Sequence, residues 1–359
     1  MDSRTGNRRK KIDLHCHLDG SIPVETFIKL AKDSNIELPQ ICDIEFIQAD
    51  NIKTLEVKDI ESMQKENIKK LISAPKDCQS LKQYLECFDL PGKCLQTKAH
   101  LYEAAKSEIL AAAQDDVVYI ELRLAPLLHT LQGLKVPEIL ESVISGVRDG
   151  CAEVKATGHY IEGNVIVCGM RHEPVEKNVK MLKGCADFIG HGLCGVDIAG
   201  NEADFPPLTQ KALFDLAKDL KLPATIHAGE CGSVSNVLDA ADLGARRIGH
   251  GIALAKDAKA RQFCRKRGII LELCPTSNLQ TKAVRKWSEY PFRLFMAEGL
   301  GVTVNTDNRT VSQTTMREEY ELLRKHCGMT PEDEAMIYQN SVAAAFADDN
   351  VKHMLLKLT

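Results

Sequence analysis

Eight short runs of β-forming residues recur along this chain, with segments apolar at helical spacing between them, and few architectures use such an alternation. The runs fall at residues 11–18, 117–126, 161–170, 188–199, 224–230, 247–251, 269–275 and 302–307. Stretches such as KALFDLAKDLK, VSNVLDAADLGA and AKARQFCRKRG gather their apolar residues on one helical face. Gly244, Gly268 and Gly299 stand just before the next run, where glycine commonly ends a helix. The pattern predicts an α/β fold, a (β/α)8 barrel. An open doubly wound sheet is the alternative, but no G-x-G-x-x-G follows an early strand. The rhythm breaks once. Residues 21–116 separate the first two runs and hold helical patterns (ETFIKLAKDSNI, IESMQKENIKKLI, LKQYLECFDL). This predicts a helical insertion over the barrel mouth, within one domain spanning 1–359 and preceded by a loose tail at 1–9.

Polar signatures close four of the runs: His15-Cys16-His17, His227-Ala228-Gly229-Glu230, Gly249-His250-Gly251 and Asn305-Thr306-Asp307-Asn308. His15 and His17 are i and i+2 on a strand, so both side chains face one way, which in a barrel is inward. Imidazole suits zinc, and two imidazoles on one strand make a rigid half-site. His227 ends a strand and can join them. Asp307 supplies a single carboxylate, giving a bound zinc a net charge of about +1, which still lowers the pKa of a bound water to roughly 7. Glu230, three residues past His227, can reach over a substrate; a partly apolar pocket would raise its pKa and make it a general acid. His250, between two glycines, can orient or deprotonate the water. Cys16 points away from the two histidines and is expected to pack in the core. Glu121 and Arg123, inward on the second run, are expected to form a bracing ion pair. The signatures H-x-E with P-C-x-x-C, G-x-S-x-G and H-E-x-x-H are absent, which removes several other hydrolase designs.

Composition narrows the partners. A formal net charge of −4 gives no electrostatic case for nucleic acid or an anionic membrane. The basic opening MDSRTGNRRKK has no apolar stretch after it, so it does not read as a secretory signal, and a cytoplasmic protein is expected. The 13 cysteines are odd in number and form no C-x-x-C pair, which favours reduced, mostly buried thiols.

Taken in order, the motifs KIDLHCHLDGSIPVET, VVYIELRLAP, GVDIAGNE, TIHAGE, RIGHGI, LELCPTSN and VTVNTDN give the chain a resemblance to the adenosine deaminase family of metal-dependent amidohydrolases, from about residue 11 to 348. The resemblance implies one zinc per chain, held by His15, His17, His227 and Asp307. It implies hydrolytic deamination of adenosine and 2′-deoxyadenosine, as in purine salvage. Glu230 would protonate purine N1, and a water oriented by His250 and Asp307 would attack C6. Substrate contacts would come from His17, from Asp19 at the ribose 5′-hydroxyl, and from the backbone N–H of Gly200 at N3. Leu81, Tyr84, Leu85 and Phe88 would form an apolar lid. The implied partner is a small purine nucleoside, bound by a monomer or weak homo-oligomer.

Two positions depart from the family pattern. Asn308 stands where an aspartate is common, and its amide can donate to purine N7 without a pKa shift. Tyr290-Pro291 replaces a common His-Pro pair. Relatives acting on AMP, N6-methyl-AMP, adenine or an aminofutalosine are the nearest alternatives. The Asp19 carboxylate opposes a 5′-phosphate, whereas Arg171 and His172, if near the mouth, would favour one. A binding protein on a catalytically dead barrel is the other class, and the intact signatures argue against it.

Overall fold

The protein is described by a computed structural model covering residues 9–38, 57–75 and 77–358. Residues 1–8 of the expected tail and 39–56 of the expected insertion lie outside the described residues. Eight parallel strands follow one another in a single sheet: β1 (Lys11–His17), β2 (Val117–Leu124), β3 (Glu162–Met170), β4 (Leu193–Ala199), β5 (Ala224–Ala228), β6 (Ala245–His250), β7 (Ile270–Leu273) and β8 (Gly301–Val304). Just beyond β8 the chain meets β1 again. Cys16 and Asp307 form a parallel bridge, the His17 N–H donates to the Asp307 carbonyl at 2.7 Å, and the Asp307 N–H donates to the His15 carbonyl at 2.8 Å. The sheet thus closes into a (β/α)8 barrel.

Between β1 and β2 run α1 (Leu18–Ser21), α2 (Val24–Asp33), α3 (Val57–Leu71), α4 (Leu81–Leu85), α5 (Asp89–Cys94) and α6 (Lys98–Gln114). The last of these is the ordinary crossover helix. Thr97 caps its first turn, and Leu101, Ala105, Ile109 and Ala112 bury a face in the main core. The insertion proper is therefore α2 to α5, shorter than the 21–116 span. The outer ring continues with α7 (Val136–Ala156), α8 (Val175–Cys185), α9 (Lys211–Asp219), α10 (Val234–Asp242), α11 (Ala258–Lys266), α12 (Pro275–Gln280) and α13 (Phe292–Ala297), and after β8 with α14 (Met316–Cys327), α15 (Pro331–Ala344) and α16 (Asp349–Leu356).

Most strands are shorter than the sequence runs, whereas β6 begins two residues before its run, at Ala245. The run at 188–199 becomes a strand only at Leu193, because Ala186–Phe188 forms a 3-10 turn and Gly190 and Gly192 take positive φ. β8 stops at Val304, three residues short of Asp307. Asp307 and His250 have φ of 61° and 64°, a left-handed conformation rare outside glycine, which turns each side chain from its strand into the barrel mouth.

Every residue of β2 is buried, yet its sequence VVYIELRL carries two charges. Their partners correct the expected ion pair between Glu121 and Arg123. Glu121 pairs with Arg247, while Arg123 donates to Asp197 Oδ2 at 2.7 Å and Glu272 Oε2 at 3.1 Å. Residues i and i+2 of a strand stack along the barrel axis, so the nearer partners come from other strands at the same level. Arg247 Nε also donates to Glu272 Oε1 at 2.6 Å. Two arginines and three carboxylates thus form one connected buried network across the barrel interior, joined through Glu272.

All cysteines among the described residues are free, and most are buried. Cys16 packs outside the barrel wall, with Sγ 3.3 Å from Ser21 Oγ. No helix among the described residues is long and apolar enough to cross a membrane.

Candidate active site

The barrel mouth gathers side chains from β1, β5, β6 and the turn after β8. Ring nitrogens of His15, His17 and His227 and a carboxylate oxygen of Asp307 all lie within 4.8 Å of one another. His17 Nε2 is 3.3 Å from His227 Nε2 and 3.5 Å from Asp307 Oδ1, and His15 Nε2 is 3.4 Å from the same oxygen. His15 Nε2 is fully buried with no hydrogen-bond partner among the described residues. A buried orphan nitrogen aimed at two imidazoles and a carboxylate is what a metal ion would satisfy, and three nitrogens with one oxygen suit a divalent transition metal. Cys274 approaches His250 and Asp307, but burial, with Asp307 and Glu272 nearby, pushes its thiol well up and keeps it protonated.

The other ring nitrogen of two of these histidines is spoken for. His15 Nδ1 lies 2.8 Å from Glu272 Oε2, and His227 Nδ1 lies 2.7 Å from Asp197 Oδ2. Each carboxylate accepts the Nδ1 proton and leaves Nε2 bare toward the cluster. Burial alone would raise Glu272, but Arg123, Arg247 and His15 outweigh it and hold its carboxyl well below the usual range. Burial likewise opposes ionisation of Asp197, and His227, Arg123 and His15 hold it low. Asp307 is held low against burial by His15, His17 and His250. Burial, reinforced by the neighbouring histidines, pushes His17 well down despite Asp307, so it stays neutral and able to ligate. Gly249 lets β6 pass this close, since a Cβ there would stand 3.1 Å from His15 Cε1 and 3.2 Å from His227 Cα.

Glu230 follows β5 on a turn that Glu202 holds. The buried Glu202 carboxylate accepts the N–H groups of Gly229, Glu230 and Cys231 at 2.6, 2.9 and 3.0 Å, and the Asn236 amide at 2.9 Å. Glu230 Oε2 reaches to 3.8 Å from His250 Nε2. His250 Nδ1 accepts from Asn278 Nδ2 at 2.9 Å, and the Tyr290 hydroxyl donates to Asn278 Oδ1 at 3.1 Å. Tyr290 thereby fixes which end of the Asn278 amide meets His250. This gives the Tyr290-Pro291 departure a physical role.

A cavity of about 340 Å³ opens from this cluster. Leu81, Tyr84, Leu85 and Phe88 wall one side together with Leu128 and Met170, and His17, Asp19, Gly200, Glu230, His250, Asp307 and Asn308 face it elsewhere. The residues expected as ligands, catalytic groups and substrate contacts therefore meet in one place, His15 within the cluster and the others along the cavity wall. Burial pushes Asp19 up to about 6, against its own and the Gly20 N–H groups and with help from Asp307. His172 lines the cavity but Arg171 does not: its guanidinium donates to the carbonyls of Phe205 and His227. Asp197, Glu272, Glu202 and Asn278 escaped sequence reading. Their only signal was a carboxylate or amide inside a quoted motif, GVDIAGNE or LELCPTSN.

A (β/α)8 barrel with this constellation at the C-terminal ends of its strands defines a barrel hydrolase. The family model described as adenosine deaminase matches residues 53–358. An adenosine deaminase from Enterococcus faecalis is 40% identical over 355 residues, covering 99% of this chain and 97% of that protein. The chain belongs to the adenosine deaminase family, whose members are hydrolytic deaminases. Among solved structures, an adenine deaminase from Arthrobacter aurescens aligns with a TM-score of 0.82 at 24% identity, over 98% of both chains. A zinc-bound amidohydrolase from Burkholderia ambifaria aligns at 0.77 and 23%, over 99% of this chain and 93% of the other. At these identities the two structures speak for the fold.

Proposed function

We propose that this chain hydrolyses the C6–N bond of adenosine and 2′-deoxyadenosine, releasing ammonia and leaving inosine and 2′-deoxyinosine. The observation that carries the reading is the convergence of His15, His17, His227 and Asp307 with Glu230 and His250 at the inner end of one cavity. Those four residues would hold one zinc ion, which when bound lowers the pKa of a water to about 7 and so supplies a nucleophile at neutral pH. Glu230 gives a proton to purine N1, which draws electrons from C6. His250 and Asp307 orient the attacking water and draw its proton away. The amino group leaves with a proton as ammonia. The lid from α4 and the following turn excludes bulk water and covers the purine face. Gly200 offers its N–H to N3, Asn308 its amide N–H to N7, and Asp19, beside His17, accepts from the 5′-hydroxyl.

A nucleoside fits better than a nucleotide. Among the described residues no lysine or arginine lines the cavity, Asp19 is a carboxylate, and Arg171 is engaged elsewhere. The test is ammonia release by the purified protein from equal concentrations of adenosine, 2′-deoxyadenosine, AMP and adenine. Fast turnover of the two nucleosides alone is expected. Faster turnover of AMP or adenine would overturn the assignment of the ribose end and leave the deamination reading in place.

A further inference from the structure

We propose that the Tyr84 hydroxyl sets which end of the Asn308 amide faces the purine, making Tyr84 a positioning residue for recognition of the N7 edge as well as part of an apolar lid. The inference rests on the reading of Asn308 given above.

An aspartate at this position would have two equivalent ends; an asparagine has a donor end and an acceptor end, and only the donor end can bond N7. Something must choose between them. Asn308 Nδ2 donates to the Tyr84 hydroxyl oxygen at 2.9 Å, and that oxygen lies 2.6 Å from Ser312 Oγ. We take Tyr84 as the donor of its bond to Ser312, which leaves its lone pair for the amide N–H. The oxygen end of the amide has no hydrogen-bond partner among the described residues. It packs against Gly20, where a Cβ would stand 1.9 Å from Asn308 Oδ1. Gly20 makes room for this end and offers it no side-chain bond. The relay Ser312–Tyr84–Asn308 thus holds the amide nitrogen inward, leaving its second N–H for the cavity that Asn308 lines. Tyr84 is 2% exposed, and burial with Asp307 nearby pushes the phenol well up, so it remains a neutral hydroxyl. Because Tyr84 comes from α4 and Ser312 from the segment after β8, the orientation exists only while the lid helix is seated.

The test compares kcat/KM for adenosine and for 7-deazaadenosine, in which a ring CH replaces N7, across the wild type, Tyr84→Phe and Ser312→Ala. The wild type should prefer adenosine. In Tyr84→Phe the ratio of the two values should fall about fivefold, the effect of one lost hydrogen bond. Ser312→Ala should move it the same way by a smaller factor. If Tyr84→Phe depresses both substrates equally, Tyr84 is only a wall of the cavity and the proposal is overturned. A wild type that does not discriminate overturns the N7 contact itself and the relay with it. Either result is distinct from failure of the deamination reading, in which neither substrate yields ammonia.

Discussion

Replacing Glu272 with glutamine changes one atom and should cost the protein both stability and metal affinity. The carboxylate accepts four hydrogen bonds: Oε1 from Arg247 Nε at 2.6 Å and Thr225 Oγ1 at 2.8 Å, and Oε2 from Arg123 Nη2 at 3.1 Å and His15 Nδ1 at 2.8 Å. A glutamine keeps one accepting oxygen and sets an N–H2 against the donors on the other side. It also leaves two buried arginines with one carboxylate fewer. Breaking a buried ion pair from one side costs about 3–5 kcal/mol, and a denaturant midpoint measured on metal-free protein should fall accordingly. His15 can relieve its share by moving the proton from Nδ1 to Nε2, but Nε2 is the nitrogen that faces Asp307. Zinc affinity, measured by competition with a chromophoric chelator, should therefore drop about 10- to 100-fold. Glu121→Gln is the control. Glu121 also pairs with Arg247 but does not touch a histidine of the cluster, so it should lose stability and keep its zinc affinity. Equal zinc affinity in Glu272→Gln and the wild type would refute the argument that this carboxylate sets the His15 tautomer.

Three further outcomes are expected. Chelation should abolish ammonia release and lower the melting temperature, and added zinc should restore both, because an empty cluster leaves His15 Nε2 buried without a partner. Tyr290→Phe should lower kcat about fivefold, the worth of one hydrogen bond, with little change in KM, since Tyr290 acts on His250 through Asn278. Burial pushes Glu319 up to about 7 from 4.5, against bonds from Thr276 and Thr314. A raised carboxyl favours the folded state fully below pH 4.5 and loses that contribution as pH rises through about 7, a swing of roughly 3 kcal/mol for a shift of 2.5. Glu319→Gln should accordingly gain stability relative to the wild type between about pH 5 and about pH 8, and a constant difference across that window would sink the idea.

The barrel and its cluster were legible in the sequence because both are periodic or terminal features. Strand alternation put His15 and His17 on one face, and the ends of apolar runs marked His227, His250 and Asp307. Strand limits were less legible, since a polar signature does not reveal where the backbone turns left-handed, as it does at His250 and Asp307. Pairings across the barrel were not legible at all. That Glu121 meets Arg247 and Glu272 meets His15 depends on which levels of distant strands coincide. Tyr84 and Phe88 were found as part of an apolar set, yet the phenol hydroxyl, the one polar side-chain atom that set carries, accepts a bond from the Asn308 amide that periodicity does not describe. The resemblance supplied Asp19 and Gly200, for which spacing alone gave no role.

The closure of the barrel through Cys16 and Asp307 has a consequence for biosynthesis. The cluster takes two members from the first strand and one from the turn after the last, so a ribosome must deliver residues through Asp307 before its fourth member exists. A nascent or truncated chain ending before that turn offers three imidazoles on an unsealed sheet. Capture of a metal by all four residues would thus report that synthesis has passed the last strand, and the same few atoms that would do the chemistry would also certify that the barrel has been finished.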